Sequence, residues 1–163
     1  MGRGVVVKRS KLLEQLRELG ATQKHVRVGV IGEAAAEKHH EIGPDGAEVE
    51  GPHTVAEVAI WNHYGTSTIP ARPFITLALE LHKEELKKLQ ARLGVAIVMG
   101  KITLDQALQL LGVAAVGFIK QTIADGVPPP NAPSTIARKG SSTPLINFGQ
   151  LRGSITSDVQ ESE

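Results

Sequence analysis

The sequence has no cysteine, few aromatic residues and almost no net charge. Without cysteine among its 163 residues, the chain can form no disulfide, zinc-thiolate site or iron–sulfur cluster, and it has no cysteine nucleophile. Aromatic residues make up 3% of the chain, too few for the stacking platforms that bind single-stranded nucleic acids. The formal net charge of +1 provides no strong field to attract phosphate backbones. We therefore expect no cofactor and no specific recognition of nucleic acid.

Long hydrophobic runs are also missing. No apolar run approaches the roughly 20 residues that cross a bilayer, and residues 93–99, for example, are far shorter, so we expect no membrane association. Hydrophobic residues nevertheless make up 41% of the chain and charged residues 21%, which is typical of a folded globular protein. At this length we predict a single domain over residues 1–163, with a polar tail at about residues 160–163.

The hydrophobic periodicity predicts an α+β fold. Residues 10–20 place four leucines at helical spacing, whereas residues 25–31 alternate with valine at every second position, as a strand does. Capping boxes beginning at Thr54 and Thr103 predict the starts of two helices, which we expect to end near residues 64–65 and 125–126. A further long helix is predicted after Pro73, with an apolar stripe from Ile75 and an end near Gly94.

The remaining stretches are rich in glycine, proline and polar residues. Residues 32–53 predict a long exposed loop or an irregular hairpin, and residues 127–143 predict a loop that crosses the surface. Residues 148–159 predict one helical turn around Leu151 and then a strand through Ile155. We therefore predict a small antiparallel or mixed sheet, formed by the strands near residues 26–30 and 155, packed against two long helices, with long protruding loops that become ordered on assembly.

No residue pattern indicates catalysis or metal binding. His39 and His40 are adjacent, and adjacent residues of a strand point to opposite faces, so they cannot form a site without further partners at metal-ligand spacing. His63 has no Ser or Asp at a spacing that would make it a catalytic base. We predict no catalytic, cofactor-binding or metal-binding residue, and we expect these three histidines to be catalytically silent.

Two segments carry patterns more specific than a fold requires. The first is AIWNHYGT at residues 59–66, followed by IPARPF at residues 69–74. The second is PSTI at residues 133–136 and KG at 139–140, followed by PLINFGQLRGSI at 144–155. In their order and separation they resemble the signatures of a family of neck, tail-completion and virion-morphogenesis proteins of tailed bacteriophages, over about residues 26–159. Asn147 and Phe148 depart from that family's pattern, which has Asp-Thr there. The residues that match the family motifs are Tyr64, Gly65, Pro70, Arg72, Pro73, Phe74, Pro144, Leu145, Gly149, Leu151 and Ile155.

The resemblance implies a structural subunit of a ring, usually a hexamer, that docks on the connector under the DNA-filled head and receives the tail. The implied partners are further copies of the chain, the head–tail connector or adaptor, and tail-terminator or tail-tube proteins, with the genome passing through the lumen without specific contacts. The implied location is the neck or tail of the virion, after assembly in the cytoplasm of the bacterial host. The family implies no catalytic residue.

Three alternatives remain open. The chain could be a tail-terminator or minor tail protein, or an assembly chaperone that is absent from the mature virion. A virion-associated hydrolase that uses His63 and Glu57 is the third, although it lacks a nucleophile or a metal set.

The motif residues also have a physical interpretation. Gly65 allows a helix to end in a conformation that other residues avoid, and Pro70 and Pro73 fix an extended link. Arg72 lies between these prolines and can reach across to a carboxylate or a carbonyl. We expect these residues to form corners of the fold.

Overall fold

A computed structural model describes residues 24–43, 45–140, 142–146 and 149–161, together with Glu14, Arg17 and Gly20, but not the side chains of residues 138 and 139. The elements in chain order are β1 (Lys24–Val30), α1 (Glu33–Ala36), β2 (Lys38–Ile42), β3 (Glu48–Thr54), α2 (Val55–Tyr64), α3 (Phe74–Leu81), α4 (Lys83–Val98), α5 (Leu104–Asp125), α6 (Pro133–Lys139), α7 (Gln150–Gly153) and β4 (Ile155–Glu161). The predicted α+β class is confirmed. The helix predicted at residues 10–20 lies outside the described residues, apart from three single positions.

The two strands predicted to share a sheet do so. β1 pairs with β4 in antiparallel register, with Val26 opposite Val159 and Val28 opposite Ser157. β4 continues to Glu161, into the stretch predicted as a polar tail from about residue 160, and residues 162–163 lie outside the described part of the chain. Because paired residues of an antiparallel sheet share a face, the alternation in β1 turns its valines to the same side as Val159.

The opposite face of this sheet carries an ion pair between directly opposed residues. Arg27 donates from Nε to Asp158 Oδ1 at 3.1 Å and from Nη2 to Asp158 Oδ2 at 2.7 Å. This hydrogen bond lowers the pKa of Asp158, and the positive charge of Arg27 adds to the effect. Both side chains are about half exposed, so the pair supports the strand register more than it contributes to stability.

α5 is the central helix of the fold. The predicted capping box is present: Thr103 accepts a hydrogen bond from the Gln106 backbone N–H, and the Gln106 side chain accepts one from Thr103. The helix packs on β1, β4, α3 and α4. Its approach to the sheet is closest at Gly112, where an added Cβ would lie 2.9 Å from Val26 Cγ2 and 2.6 Å from Ser157 Oγ. A side chain at position 112 would therefore push the helix off the sheet.

α5 is also long and apolar enough, judged by length and composition alone, to cross a membrane. It has 22 residues, and its most apolar window has a mean hydropathy of 1.5. Six of its residues are buried within the fold, among them Ile119 and Ile123 in the central core. The core helix of a globular protein has the same composition, and we interpret α5 in that way.

The helix predicted after Pro73 is two helices, and this part of the prediction is wrong. α3 ends at Leu81 and α4 begins at Lys83, because His82 leaves helical geometry and stacks its ring on Phe118 of α5, with 4.1 Å between ring centroids. α4 also continues through Gly94 to Val98. A glycine inside a helix costs only about 1 kcal/mol, and the burial of Ile97 beyond it favours continuation.

The two predicted loops contain regular structure. Residues 32–53 form α1 and an antiparallel hairpin of β2 and β3 with an irregularity near Lys38, which confirms the hairpin alternative and not the loop. The capping box predicted at Thr54 begins α2 directly after β3. Residues 127–143 include α6, so the prediction of a loop over this whole stretch is wrong. Pro133 occupies the first turn of the helix, and Gly140 ends it in the left-handed conformation.

The core lies where α2, α3, α5 and α7 meet the β1–β4 sheet. Its buried side chains come from the middle and the C-terminal part of the chain, and Val28 and Val30 of β1 pack against them. The buried cluster consists of Val55, Ala59, Phe74, Ala78, Ile119, Ile123, Val127, Leu151 and Ile155.

Candidate functional site

Arg72 joins the link before α3 to the proline run after α5. Its side chain is 6% exposed, and it donates from Nε to the Pro129 carbonyl at 2.8 Å and from Nη2 to the Pro130 carbonyl at 3.2 Å. Its backbone N–H donates to the Asn62 carbonyl near the end of α2, at 2.7 Å. The predicted reach to a carbonyl is therefore confirmed. Burial lowers the pKa of Arg72, yet a guanidinium stays charged at physiological pH, so the carbonyls solvate a buried cation.

A cavity of about 740 Å³ opens beside Arg72. Its walls come from β2, α2, the link at residues 68–72, the segment 129–132 and the region of α7. Four residues of the family motifs line it, two from each motif: Pro70, Arg72, Leu145 and Leu151. The lining mixes apolar and polar side chains, among them the Arg72 cation, and so suits an extended protein segment that presents a carbonyl or a carboxylate.

Gln150 connects the second motif to the hairpin. Its Oε1 accepts a hydrogen bond from the His40 backbone N–H at 2.8 Å, and its Nε2 donates to the Lys38 carbonyl at 2.7 Å. The side-chain amide thus pairs with β2 as a neighbouring strand would, and it holds the hairpin against α7. Gln150 lies within the second motif segment, residues 144–155, but its bonds to the hairpin join residues about 110 positions apart and no local pattern predicts them.

The motif residues outside the cavity set the ends of elements or fill the core. Gly65 has φ of 80°, and an added Cβ would lie 2.9 Å from Ala71 N, so the turn requires glycine both for conformation and for space. Gly149 has φ of 80° and precedes α7, while Pro73 precedes α3. Phe74 and Ile155 are buried in the core, together with Leu151. Tyr64 is 76% exposed and lies apart from this arrangement.

Two further motif residues lie in the segment before α7. Pro144 is buried. Leu145 adopts φ of 63°, a left-handed conformation that is uncommon for a residue with a side chain. Asn147 and Phe148, which depart from the family pattern, lie outside the described residues.

Among the described residues, His63 and His40 have different partners. His63 lies with its ring edge-on to Phe74, at 5.3 Å between centroids, and burial lowers its pKa. Its Nε2 lies 3.4 Å from Thr76 Oγ1. His40 Nδ1 contacts Glu48 across the hairpin. Within the described part of the chain, no group of three or more His, Cys, Asp or Glu side chains could hold a metal ion.

Comparison of the chain with protein-family models, curated proteins and solved structures found no match.

Proposed function

We propose that this chain is a structural subunit of a tailed-bacteriophage virion, and that it forms the neck or tail-completion ring that joins the DNA-filled head to the tail. The carrying observation is that the two motif segments, which α3, α4 and α5 separate in the chain, line one cavity. Pro70 and Arg72 face Leu145 and Leu151 across one cavity. Both motif segments thus contribute residues to one cavity, which supports a shared role for them.

The surface supports a subunit that binds copies of itself. Ile60 and Tyr64, four residues apart on α2, are 55% and 76% exposed. Leu110 and Val113, three residues apart on α5, are 50% and 67% exposed. Residues three or four apart on a helix share a face, so each pair presents an apolar strip that a neighbouring subunit can cover.

The first experiment removes the gene from the phage that encodes this chain. We expect filled heads and complete tails that do not join, and particles restored when the wild-type gene is supplied. Mass spectrometry of purified virions should detect the chain in a ring-like copy number. If it is missing from infectious particles, an assembly chaperone is the correct interpretation.

Copurification with unjoined heads or tails distinguishes a neck subunit from a tail terminator. In a lysate that lacks the final joining step, a neck subunit should copurify with filled heads, whereas a tail terminator would copurify with free tails. A matched pair of variants tests the ring surface. Ile60→Asp should prevent joining, and Lys88→Asp, also on an exposed helical position, should not. Both proteins should have the circular dichroism spectrum of the wild type.

A further inference from the structure

An apolar groove lies between the β1–β4 sheet and the helices, away from the motif cavity. It has a volume of about 470 Å³, and its walls include Val26, Val28, Leu79, Leu86, Leu111 and Ala115. Lys83 and Lys87 stand at its border, and their aliphatic stems extend the apolar surface. Val26 and Val28 are only half-buried, and Leu79 is 38% exposed. The described residues therefore leave the inner face of β1 incompletely covered.

A matching segment precedes this strand directly. Residues 10–20 place Leu12, Leu16 and Leu19 on one face of a predicted helix, with Glu14 on the opposite face. The charged residues of this segment are two lysine or arginine and two glutamate side chains, so the lysines at the groove border do not repel it. Glu14 and Arg17 are helical and exposed, as the polar side of a docked helix would be.

The connection is short enough to bring this segment back onto the groove. Four Cα–Cα steps separate residues 20 and 24, a reach of at most about 14 Å. The strand rise of about 3.3 Å per residue places Val28 about 13 Å from Lys24, and an 11-residue helix is about 16 Å long. A helix that folds back along β1 therefore covers both groove valines. Tethering gives it an effective concentration in the millimolar range, which favours it over the same segment of another copy.

We propose that residues 10–20 form a helix that packs its leucine face into the groove between β1, α4 and α5 of the same chain. This helix covers the part of the inner face of β1 that α3 and α4 leave exposed. This inference does not depend on the proposed virion function.

Because the chain has no cysteine, only the introduced cysteines can form a disulfide. Leu86→Cys on the groove wall is combined in turn with Leu12→Cys, Leu16→Cys or Leu19→Cys in the full chain. Disulfides need Cβ atoms about 3.5–4.5 Å apart, so we expect at least one pair to close within a single molecule under mild oxidation. The matched control combines Leu86→Cys with Glu14→Cys on the polar face, and it should close at least about fivefold less. Equal closure in the control, or disulfides only between molecules, would overturn the proposal.

A second measurement does not depend on the cysteine pairs. In the full chain, Leu12→Glu with Leu16→Glu should release the helix, and hydrogen exchange in residues 24–30 and 83–93 should become at least about fivefold faster. Glu14→Gln with Arg17→Gln changes the polar face and should leave that exchange as in the wild type. Unchanged exchange in the double glutamate variant would show that the leucines do not cover the groove.

Discussion

Replacing Arg72 tests whether its guanidinium holds two distant segments together. Arg72→Ala removes two charge-assisted hydrogen bonds, at 2.8 Å to Pro129 and 3.2 Å to Pro130. Such bonds contribute about 1.5–3 kcal/mol each. Part of this loss is recovered, because a buried cation is removed and water can reach the carbonyls of the two exposed prolines. We expect a net loss of about 3 kcal/mol in the free energy of unfolding.

Thermal denaturation followed by circular dichroism measures this loss. For a chain of this size, 3 kcal/mol lowers Tm by about 6–12 °C. Arg72→Lys should lower it by about half as much, because one ammonium group cannot take both positions of the planar guanidinium. The control is Arg152→Ala on α7, whose side chain is exposed and should change stability by no more than about 0.5 kcal/mol. If Arg72→Ala melted within 2 °C of the control, about the difference expected for a surface position, the bridging role would be refuted.

The remaining predictions concern a turn, the hairpin and pH. Gly65→Ala should lower the free energy of unfolding by about 2 kcal/mol or more in urea denaturation, because Gly65 has a positive φ and an added Cβ would meet Ala71. Gly94→Ala, where an added Cβ meets nothing within 4 Å inside a helix, should instead raise it by about 0.5–1 kcal/mol. Gln150→Ala should cost about 1–3 kcal/mol and speed hydrogen exchange in β2; unchanged exchange there would exclude the amide pairing. Burial lowers the pKa of His63 in the folded state, so stability should be fully present above about pH 6.5 and fall as the pH drops below it. His63→Gln should remove this component of the pH dependence, and an unchanged profile would contradict it.

Local signals predicted the parts of the fold that local chemistry determines. Both capping boxes, at Thr54 and Thr103, begin helices where the sequence places them, because all their hydrogen bonds join residues within one turn. The alternating valines of β1 predicted a strand with one covered face, and its pairing with β4 followed from the need to cover two apolar faces.

The errors arose where distant residues decide the outcome. The break between α3 and α4 depends on the stacking of His82 on Phe118, which no local pattern shows. The carbonyl partners of Arg72 could be predicted by type but not by identity, because Pro129 and Pro130 follow three intervening helices. α6 is different: Pro133 and Gly140 are adequate local signals for the start and end of a helix, although the preceding proline run favours a loop.

The most direct test of the proposed function is a reconstruction of the head–tail junction in particles of the encoding phage, at a resolution that traces side chains. We predict a closed ring of copies of this chain between the connector and the tail, with the Ile60 and Tyr64 strip of each copy covered by protein. A junction traced completely without this chain would contradict the proposed function, as would the chain found only at a distant site in the tail.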